Sequence, residues 1–201
     1  MARLLDVGYA GIDPIQTERL SLEPWDESRR EDFAGLAADP RMMRGIGASQ
    51  PWSREESDER FDWQLRHWRE HGFGWRSAIE RGTGEWLGFV GINLARPDAV
   101  ELEPDDVEMG WWVVPSAWGR GIATEGAVAL RDEAFGRVGL DRLVARCRAD
   151  NVASARVMEK IGMRFEHERP GRHGDRALVW AIDRAGWSRG GTPPLRSRNS
   201  S

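Results

Sequence analysis

The order of apolar and polar positions along the chain predicts seven strands and four helices, in the order β-α-α-β-β-β-α-β-α-β-β. The strands are expected near residues 19–23, 75–79, 86–94, 107–114, 142–148, 165–169 and 176–182. The helices are expected near residues 26–37, 53–70, 121–136 and 152–161. Ser53 and Glu56 form a capping box at the start of the second helix. This order indicates a mixed sheet with helices on both faces.

The most informative segment runs from Val107 to Gly126, where an apolar strand is followed by a proline and a glycine-containing loop. Gly119 and Gly121 allow a tight turn and a close approach by another molecule. An amphipathic helix pattern follows. A loop of this kind directs the free N–H groups and the positive dipole end of the next helix outward. The segment therefore predicts a binding site for a phosphate or a pyrophosphate.

Two familiar phosphate-binding loops fit this segment poorly. The nucleotide-triphosphate loop needs Lys followed by Ser or Thr after its last glycine, but Ile122 and Ala123 follow Gly121. The dinucleotide fingerprint is matched by Gly119 and Gly121 but has Thr124 in place of its last glycine. The sequence therefore favours neither a nucleotide-triphosphate loop nor a dinucleotide loop.

A third loop fits better, because the segment from Trp118 to Ala123 resembles the Q/R-x-x-G-x-G/A loop of the GNAT acyl-CoA N-acyltransferases. Trp118 stands at its first position, where a Trp is common in the subgroup that includes the ribosomal-protein N-terminal acetyltransferases. Further motifs that are similar to those of this subgroup occur in the same order, at residues 17–22, 39–40, 108–111 and 151–163. Each motif is short, but the ordered set is specific.

The resemblance covers roughly residues 12–183 and implies the fold of that family. We therefore expect an α/β (α+β) structure with a mixed, mostly antiparallel sheet of about seven strands, a central splay and helices on both faces. Residues 1–11 are then an N-terminal leader. Residues 184–201 are a C-terminal tail, rich in Gly, Pro, Ser and Arg towards its end, that we expect to be disordered.

The resemblance also implies acetyl-CoA as the co-substrate. In the family, the strand before the loop and the strand after its helix splay apart, so that unpaired backbone groups can bond the pantetheine amides. By resemblance, the backbone of Trp111, Trp112 and Val113 bonds the pantetheine arm. The pyrophosphate is held by N–H groups of the loop. Arg120 adds a charge contact to a phosphate or is a solvated surface arginine, and Thr124 donates its hydroxyl or simply caps the helix. The loop residues are Gly119, Arg120, Gly121, Ile122, Ala123 and Thr124.

Three residues after this loop have two interpretations each. Asn151 matches the family asparagine that bonds the pantetheine, and it is equally a good N-cap three residues before Ser154. Arg156 and Lys160 lie four residues apart on a helix, where they either approach the adenosine phosphates or form a solvated face.

The reaction that the resemblance implies is direct transfer of an acetyl group from the thioester to an amine, in which the amine loses a proton and the thiolate gains one. Many relatives use a tyrosine as the acid, but Met158 stands at that position, and Arg146 stands where some relatives have a basic glutamate. Glu108 is therefore a candidate base acting through a water, or a strand-pairing carboxylate. Ser154 is a candidate hydrogen-bond donor to the leaving thiolate, or a helix-cap residue. Positioning of the reactants also supplies part of the rate.

Composition narrows the function classes. A net charge of −4 and a pI near 5.7 give no reason to expect nucleic-acid binding. No apolar run reaches the length of about 18 residues that spans a membrane, so a cytoplasmic protein is expected. The one cysteine, Cys147, is expected to be a buried thiol. His67 and His71 have a metal-binding spacing but no third ligand, so no metal is expected.

The acceptor is left open between a protein N-terminus and a small amine. The acidic segment at residues 101–106 either favours a cationic acceptor or is only a solubilising turn. Eleven tryptophans form the core and line grooves, or some of them line an acceptor pocket or a subunit interface. The family is often dimeric, so a homodimer is expected by analogy. The alternative function, from another class, is a non-catalytic acyl-CoA-binding sensor or partner protein.

Overall fold

The structure is a computed structural model that describes residues 12–171 and 174–189. It contains one sheet of eight strands: β1 Ile15–Gln16, β2 Leu20–Pro24, β3 Trp75–Glu80, β4 Trp86–Leu94, β5 Val107–Val113, β6 Arg142–Arg148, β7 Arg164–Pro170 and β8 Arg176–Asp183. Six α-helices occur in the described residues: α1 Arg30–Ala37, α2 Pro40–Met43, α3 Arg54–His71, α4 Ile122–Glu133, α5 Val152–Lys160 and α6 Arg184–Arg189. None of these helices is long and apolar enough to cross a membrane.

Strand order in the sheet is β1-β2-β3-β4-β5-β6-β8-β7, and every neighbouring pair is antiparallel except β5 and β6. These two strands are parallel, because α4 crosses over between them, and they pair at a single position, Glu108 with Val144. Beyond Glu108 the two strands separate. The mixed, mostly antiparallel sheet with a central splay that the family resemblance implied is therefore confirmed.

Helices cover both faces of the sheet, as two consecutive residues of β4 show. Side chains alternate between the faces of a strand. Val90 belongs to the main core with Ala127 and Leu130 of α4. Phe89 belongs to an aromatic cluster on the other face, where it contacts residues of α1 and α3. The residues of the aromatic cluster are Trp25, Phe33, Phe61, Leu65, Trp68 and Phe89, with Trp52, Trp75 and Trp112 packed against them.

Local sequence signals set the ends of several elements. The predicted capping box is present, since the Ser53 hydroxyl accepts from the N–H of Glu56, and the Glu56 carboxylate accepts from the N–H of Ser53. The same helix, α3, ends at Gly72, which has the left-handed conformation (φ 69°) that helix C-termini favour. The sequence placed this helix within one or two residues of its observed bounds.

Three details differ from the sequence prediction. The sheet has eight strands rather than about seven, because Ile15–Gln16 adds a two-residue edge strand. The tail predicted from residue 184 begins instead with α6, whose Trp187 packs on Phe135 and donates a hydrogen bond to Asp132 at 2.8 Å. These contacts hold the helix against the core. The predicted leader at residues 1–11 and the tail beyond residue 189 lie outside the described residues.

Candidate active site

A cavity of about 1090 Å³ opens where β5 and β6 separate. It is lined by β5, by the loop and N-terminal turn of α4, by α5, and by residues of α3 and of the segment before it. The predicted site residues that line it are Glu108, Trp111, Trp112, Val113, Gly119, Gly121, Ile122, Ala123, Thr124, Asn151 and Ser154. The fold thus brings together residues from positions 108 to 154 in one concave site.

The backbone of β5 offers unpaired groups to this cavity. At one end of the β4–β5 ladder the N–H of Ala95 donates to the carbonyl of Asp106 at 2.7 Å. Because ladder bonds alternate, even-numbered residues of β5 pair with β4 and odd-numbered residues point towards β6. The backbone groups of Trp111 and Val113 therefore face the opening, whereas those of Trp112 face β4. The Val113 carbonyl accepts from Trp118 Nε1 at 2.6 Å, so only the N–H of Val113 is left unpaired. Of the three predicted pantetheine-binding residues, Trp112 contributes its indole ring to the wall rather than free backbone groups.

The glycine loop has the conformation that its sequence predicts. Gly119 and Gly121 both have positive φ values, 74° and 81°, which side chains disfavour. Gly121 is the N-cap of α4, and its carbonyl accepts from the N–H of Glu125 at 3.0 Å. The N–H groups of Gly121 to Thr124 make no hydrogen bond to a described residue. They stand at the positive end of the helix dipole, where an anion is stabilised.

Ion pairs hold the loop from its outer side. The Arg120 guanidinium pairs with Glu80, and its carbonyl accepts from Arg19 at 2.8 Å. Arg19 also pairs with Glu125 on the first turn of α4, at 2.6 Å. Arg120 is the one predicted loop residue that does not line the cavity. The pairing of this partly exposed guanidinium with Glu80 on β3 favours a surface arginine, the second interpretation of Arg120, over a phosphate contact.

Asn151 and Ser154 lie at the start of α5 and face the cavity. The Asn151 side chain accepts from the N–H of Ser154 at 3.1 Å, as an N-cap does. Its amide nitrogen donates to the carbonyl of Gly45 at 3.4 Å, which links α5 to the segment after α2. The Ser154 hydroxyl makes no hydrogen bond to a described residue. It is therefore available to a ligand in the cavity.

Three cationic side chains at the rim form no ion pair with a described residue: Arg44, Arg156 and Lys160. Arg156 and Lys160 lie on α5 and Arg44 lies just after α2, so they approach the cavity from two elements. An unpaired cationic rim attracts phosphate groups. This geometry favours the phosphate-facing interpretation of Arg156 and Lys160 over that of a merely solvated face.

At the point where the strands separate, Arg146 is held between two carboxylates. Its Nε donates to Glu108 at 2.8 Å, and its Nη1 donates to Glu101, which is only 5% exposed. Burial lowers the pKa of the Arg146 guanidinium, but the two carboxylates outweigh burial, and the pKa lies above its ordinary value. Sequence reasoning found Glu108 but missed Glu101 as a partner of Arg146, because the two residues lie 45 positions apart in the chain.

Two other residues of the wall have no acid–base role in this arrangement. Met158, at the position where many relatives have a tyrosine, is 1% exposed and packs in the main core. Cys147 is also buried, and desolvation together with the charge of Asp150 raises its pKa to about 11. A thiol with such a pKa is a poor nucleophile near neutral pH. Among the described residues, no group of three or more His, Cys, Asp and Glu side chains is arranged to hold a metal ion.

The carboxylates of the predicted acidic segment are largely neutralised. Besides Glu101 on Arg146, Glu103 pairs with Arg169 at 2.9 Å, and Asp106 lies 3.9 Å from Arg142. The segment therefore presents less negative charge to an acceptor than its sequence suggests. A preference for a polycationic acceptor loses most of its physical basis.

The acceptor side of the cavity has an aromatic wall that the sequence indicated only through its tryptophan content. Trp52, Trp63 and Trp75 line it, together with Gln64 and Arg96. These residues come from α3, from the segment before it, and from β3 and the loop after β4. They lie on the α1–α3 face of the sheet, on the same side as Glu108, because Glu108 is directly opposite Asn93 in the β4–β5 ladder. Gln64 and Arg96 carry no sequence signal of a binding role.

Residues 19–164 match the family described as Acetyltransferase (GNAT) domain. This match covers most of the chain, so the chain belongs to the GNAT acetyltransferase family. It is similar to the crystal structure of an acetyltransferase from Agrobacterium tumefaciens, with a TM-score of 0.72 and 32% identity, covering 85% of this chain and 94% of that one. It also shares its fold with RimL, a ribosomal alpha-N-protein acetyltransferase solved in complex with coenzyme A, at a TM-score of 0.68 and 20% identity, over 85% of this chain and 98% of that one.

Among curated proteins, the chain is 28% identical over 159 residues to the FsC-acetyl coenzyme A-N(2)-transacetylase of Aspergillus fumigatus. The alignment covers 74% of this chain, which spans 64% of the length of that relative. It is 29% identical over 152 residues to the uncharacterized protein YkkB of Bacillus subtilis, covering 75% of this chain and 85% of that protein. These similarities support the family and leave the acceptor open.

Proposed function

We propose that the protein is an acetyl-CoA-dependent N-acetyltransferase that moves an acetyl group from the thioester directly to a primary amine. The observation that carries this proposal is the continuity of one cavity from the cationic rim, past the free N–H groups of α4, to the opening between β5 and β6. Each part matches one part of acetyl-CoA: the phosphates, the pyrophosphate and the amide-bearing pantetheine arm.

The residues divide between these parts. Arg44, Arg156 and Lys160 receive the adenosine phosphates by charge. The N–H groups of Ile122, Ala123 and Thr124, with Gly119 and Gly121 shaping the loop, receive the pyrophosphate. The free backbone groups of Trp111 and the N–H of Val113 bond the pantetheine amides, because the splay leaves them without strand partners. The Val113 carbonyl is already bonded by the Trp118 indole N–H at 2.6 Å. Asn151 holds the first turn of α5 in place, and its position in the wall allows contact with the pantetheine.

The chemical step joins the amine nitrogen to the acetyl carbonyl carbon and breaks the carbon–sulfur bond. Glu108 accepts the proton that the amine loses, through a water, and the Ser154 hydroxyl donates a hydrogen bond to the sulfur that leaves as thiolate. The thiolate then takes a proton from solvent or from that hydroxyl. Arg146 fixes the Glu108 carboxylate at the start of the splay. Alignment of the two substrates in one cavity supplies a further part of the rate.

Two acceptor types fit this reaction. The resemblance to the ribosomal-protein subgroup supports a protein N-terminus. The aromatic wall supports a small amine, since aromatic side chains in a concave site can pack against a whole small molecule. The acceptor end is developed further below.

The first test is thermal unfolding of the purified chain with acetyl-CoA, and with NAD and ATP as controls. A ligand that binds the native state raises the melting temperature by mass action. A shift with acetyl-CoA but not with NAD or ATP supports the site, and no shift contradicts it. Release of free CoA thiol with an amine panel then separates the two function classes. Binding of acetyl-CoA without thiol release from any amine favours the non-catalytic acyl-CoA-binding protein.

A further inference from the structure

The acceptor end of the cavity contains a buried hydrogen-bond acceptor with no partner. Gln64 is 1% exposed, and its Oε1 makes no hydrogen bond to a described residue. Its orientation is fixed by its neighbours. Trp75 Nε1 donates to Asn93 Oδ1 at 2.8 Å, so this oxygen is an acceptor, and the Gln64 atom at 3.3 Å from it must be the Nε2 donor. The remaining atom, Oε1, is therefore a carbonyl oxygen that an N–H donor can satisfy.

A buried donor without a partner lines the same cavity. Arg96 Nη1 makes no hydrogen bond to a described residue, although its Nε donates to Asp98 at 3.1 Å. The guanidinium lies 4.7 Å from the centroid of the Trp63 ring, which fixes its position. A planar guanidinium with one edge bonded and one nitrogen unbonded is suited to a carboxylate.

Two guanidinium groups lie near each other at this end of the cavity. Arg60 and Arg96 share one carboxylate, Asp98, and the further Glu59 lies at 4.0 Å from Arg96 and is largely exposed. Burial and the nearby charge of Arg60 lower the pKa of Arg96, as expected where guanidinium groups outnumber buried carboxylates. This side therefore favours an anion.

On the opposite side of this end, Glu101 and Glu108 both bind the Arg146 guanidinium. Asp98 is close enough to raise the pKa of Arg146, so the two sides adjoin. The Glu108 carboxylate lies where the strands separate and where the amine must reach the thioester. The unbonded nitrogen of Arg96 and the Glu108 carboxylate therefore belong to adjoining parts of one cavity, as the carboxylate and the amine of one acceptor would require.

We propose that the acceptor is a small zwitterion of the amino-acid type with an apolar or aromatic body. Its amine lies towards Glu108, one N–H bonds Gln64 Oε1, its carboxylate bonds Arg96 Nη1, and its body packs on Trp52, Trp63 and Trp75. This inference rests on the proposed acetyl transfer and specifies its substrate class. Pairing both unsatisfied atoms with one ligand removes the cost that each carries when left buried and unbonded.

Binding measured without turnover tests this assignment. Calorimetry of the full chain saturated with CoA compares L-phenylalanine with its amide and with 2-phenylethylamine, which keep the amine and ring but lack the carboxylate. We expect the acid to bind about tenfold or more tightly than either analogue. Analogues that bind as tightly as the acid, spermidine binding more tightly than the acid, or no saturable binding of phenylalanine would each overturn the proposal.

Two variants test whether Arg96 causes the preference for the acid. In Arg96→Met, which keeps an apolar stem against Trp63, we expect the three ligands to bind alike. Arg66→Met replaces an exposed arginine on α3, the helix that carries Gln64, and should behave as the wild type. A preference for the acid that persists in Arg96→Met overturns the role of Arg96. If Arg96→Met lacks a cooperative thermal transition, the ligand comparison on the wild type decides alone.

The same ligands separate this proposal from the transferase proposal. Phenylalanine that binds without any release of CoA thiol supports the pocket and contradicts acetyl transfer to it. Thiol release with spermidine or with a peptide N-terminus, but not with phenylalanine, supports acetyl transfer and contradicts the pocket.

Discussion

Arg146 donates a hydrogen bond from Nε to Glu108 Oε1 at 2.8 Å, across the place where β5 and β6 make their single pairing. A positive residue thus stands beside the candidate base, where some relatives place a glutamate. Because Glu101 binds the same guanidinium, the charge of Arg146 is shared between two carboxylates and Glu108 keeps part of its negative charge. The pair fixes the Glu108 carboxylate at the start of the splay without neutralising it fully.

Replacement of Glu108 tests whether this carboxylate takes the amine proton. Glu108→Gln keeps the shape and a hydrogen-bond acceptor, and Arg146 keeps Glu101 as its partner. We expect kcat to fall about 10²-fold, the lower end of general-base effects, with little change in the KM for acetyl-CoA. Glu103→Gln, in the neighbouring loop and outside the cavity wall, is the matched control. An unchanged kcat in Glu108→Gln would remove Glu108 from the mechanism.

The conformation of the glycine loop predicts a defect in cofactor affinity. Gly121 has φ 81°, and a Cβ there would lie 3.4 Å from Arg19 Nη2. Gly121→Ala must therefore distort the loop or place an alanine in the left-handed conformation, which destabilises the fold by about 1–2 kcal/mol. Distortion displaces the N–H groups that receive the pyrophosphate, so we expect the Kd for acetyl-CoA to rise about tenfold. Gly35→Ala is the control, because Gly35 is exposed on α1 with nothing near its Cβ. Equal affinity in both variants would contradict the loop assignment.

Features set by neighbouring residues could be predicted from the sequence. The capping box at Ser53, the positive φ of Gly119 and Gly121, and the N-cap at Asn151 depend on contacts within a few residues. The order of strands and helices follows from local periodicity for the same reason. The splay between β5 and β6 came from family resemblance, because nothing in the pattern of apolar residues marks where two paired strands separate.

Features set by distant contacts could not be predicted. Arg120 pairs with Glu80, 40 residues earlier in the chain, and its place in the motif gives no sign of this contact. Gln64 and Arg96 are ordinary polar residues in sequence, and only their buried, unbonded atoms in the folded cavity mark them. Side-chain partners across the fold decide these roles, and a single sequence does not record such pairings.

His67 predicts a specific dependence of stability on pH. Its Nδ1 donates to the carbonyl of Phe73 at 3.0 Å and its Nε2 accepts from the N–H of Leu94 at 3.1 Å, so the ring is held neutral. Burial, with the charge of His71 as the smaller cause, lowers its pKa from 6.5 to about 4. The unfolded chain therefore takes up this proton first as the pH falls. His67 contributes its full stability above pH 6.5 and loses it progressively down to about pH 4.

The size of this loss can be measured against a variant. The shift corresponds to about 3 kcal/mol, at 1.36 kcal/mol for each pKa unit. Urea unfolding at pH 7 and at pH 4.5 measures the free energy of unfolding of the wild type and of His67→Gln, which keeps a donor and an acceptor but does not titrate. Between these two pH values, the wild type should lose about 2–3 kcal/mol more of this free energy than the variant. Carboxylates contribute to both proteins and cancel in the comparison. His71→Gln, which removes the minor cause, should retain most of the wild-type dependence.

The stability of the α4 scaffold depends on a buried ion pair. Arg76 on β3 is 1% exposed, and its Nε and Nη2 donate to the two carboxylate oxygens of Glu133 at 2.9 and 2.6 Å. Arg76→Met leaves Glu133 buried with only the exposed Arg137 as its partner, so we expect the free energy of unfolding to fall by about 3 kcal/mol. Arg137→Met, which removes the exposed partner of the same carboxylate, should cost less than about 1 kcal/mol.

The double variant Arg76→Met/Glu133→Leu should regain most of the loss, because the cost arises from an unpaired buried charge rather than from the missing ion pair. Urea unfolding of the four proteins measures these differences, and a double variant no more stable than Arg76→Met would show that packing around Arg76 matters instead.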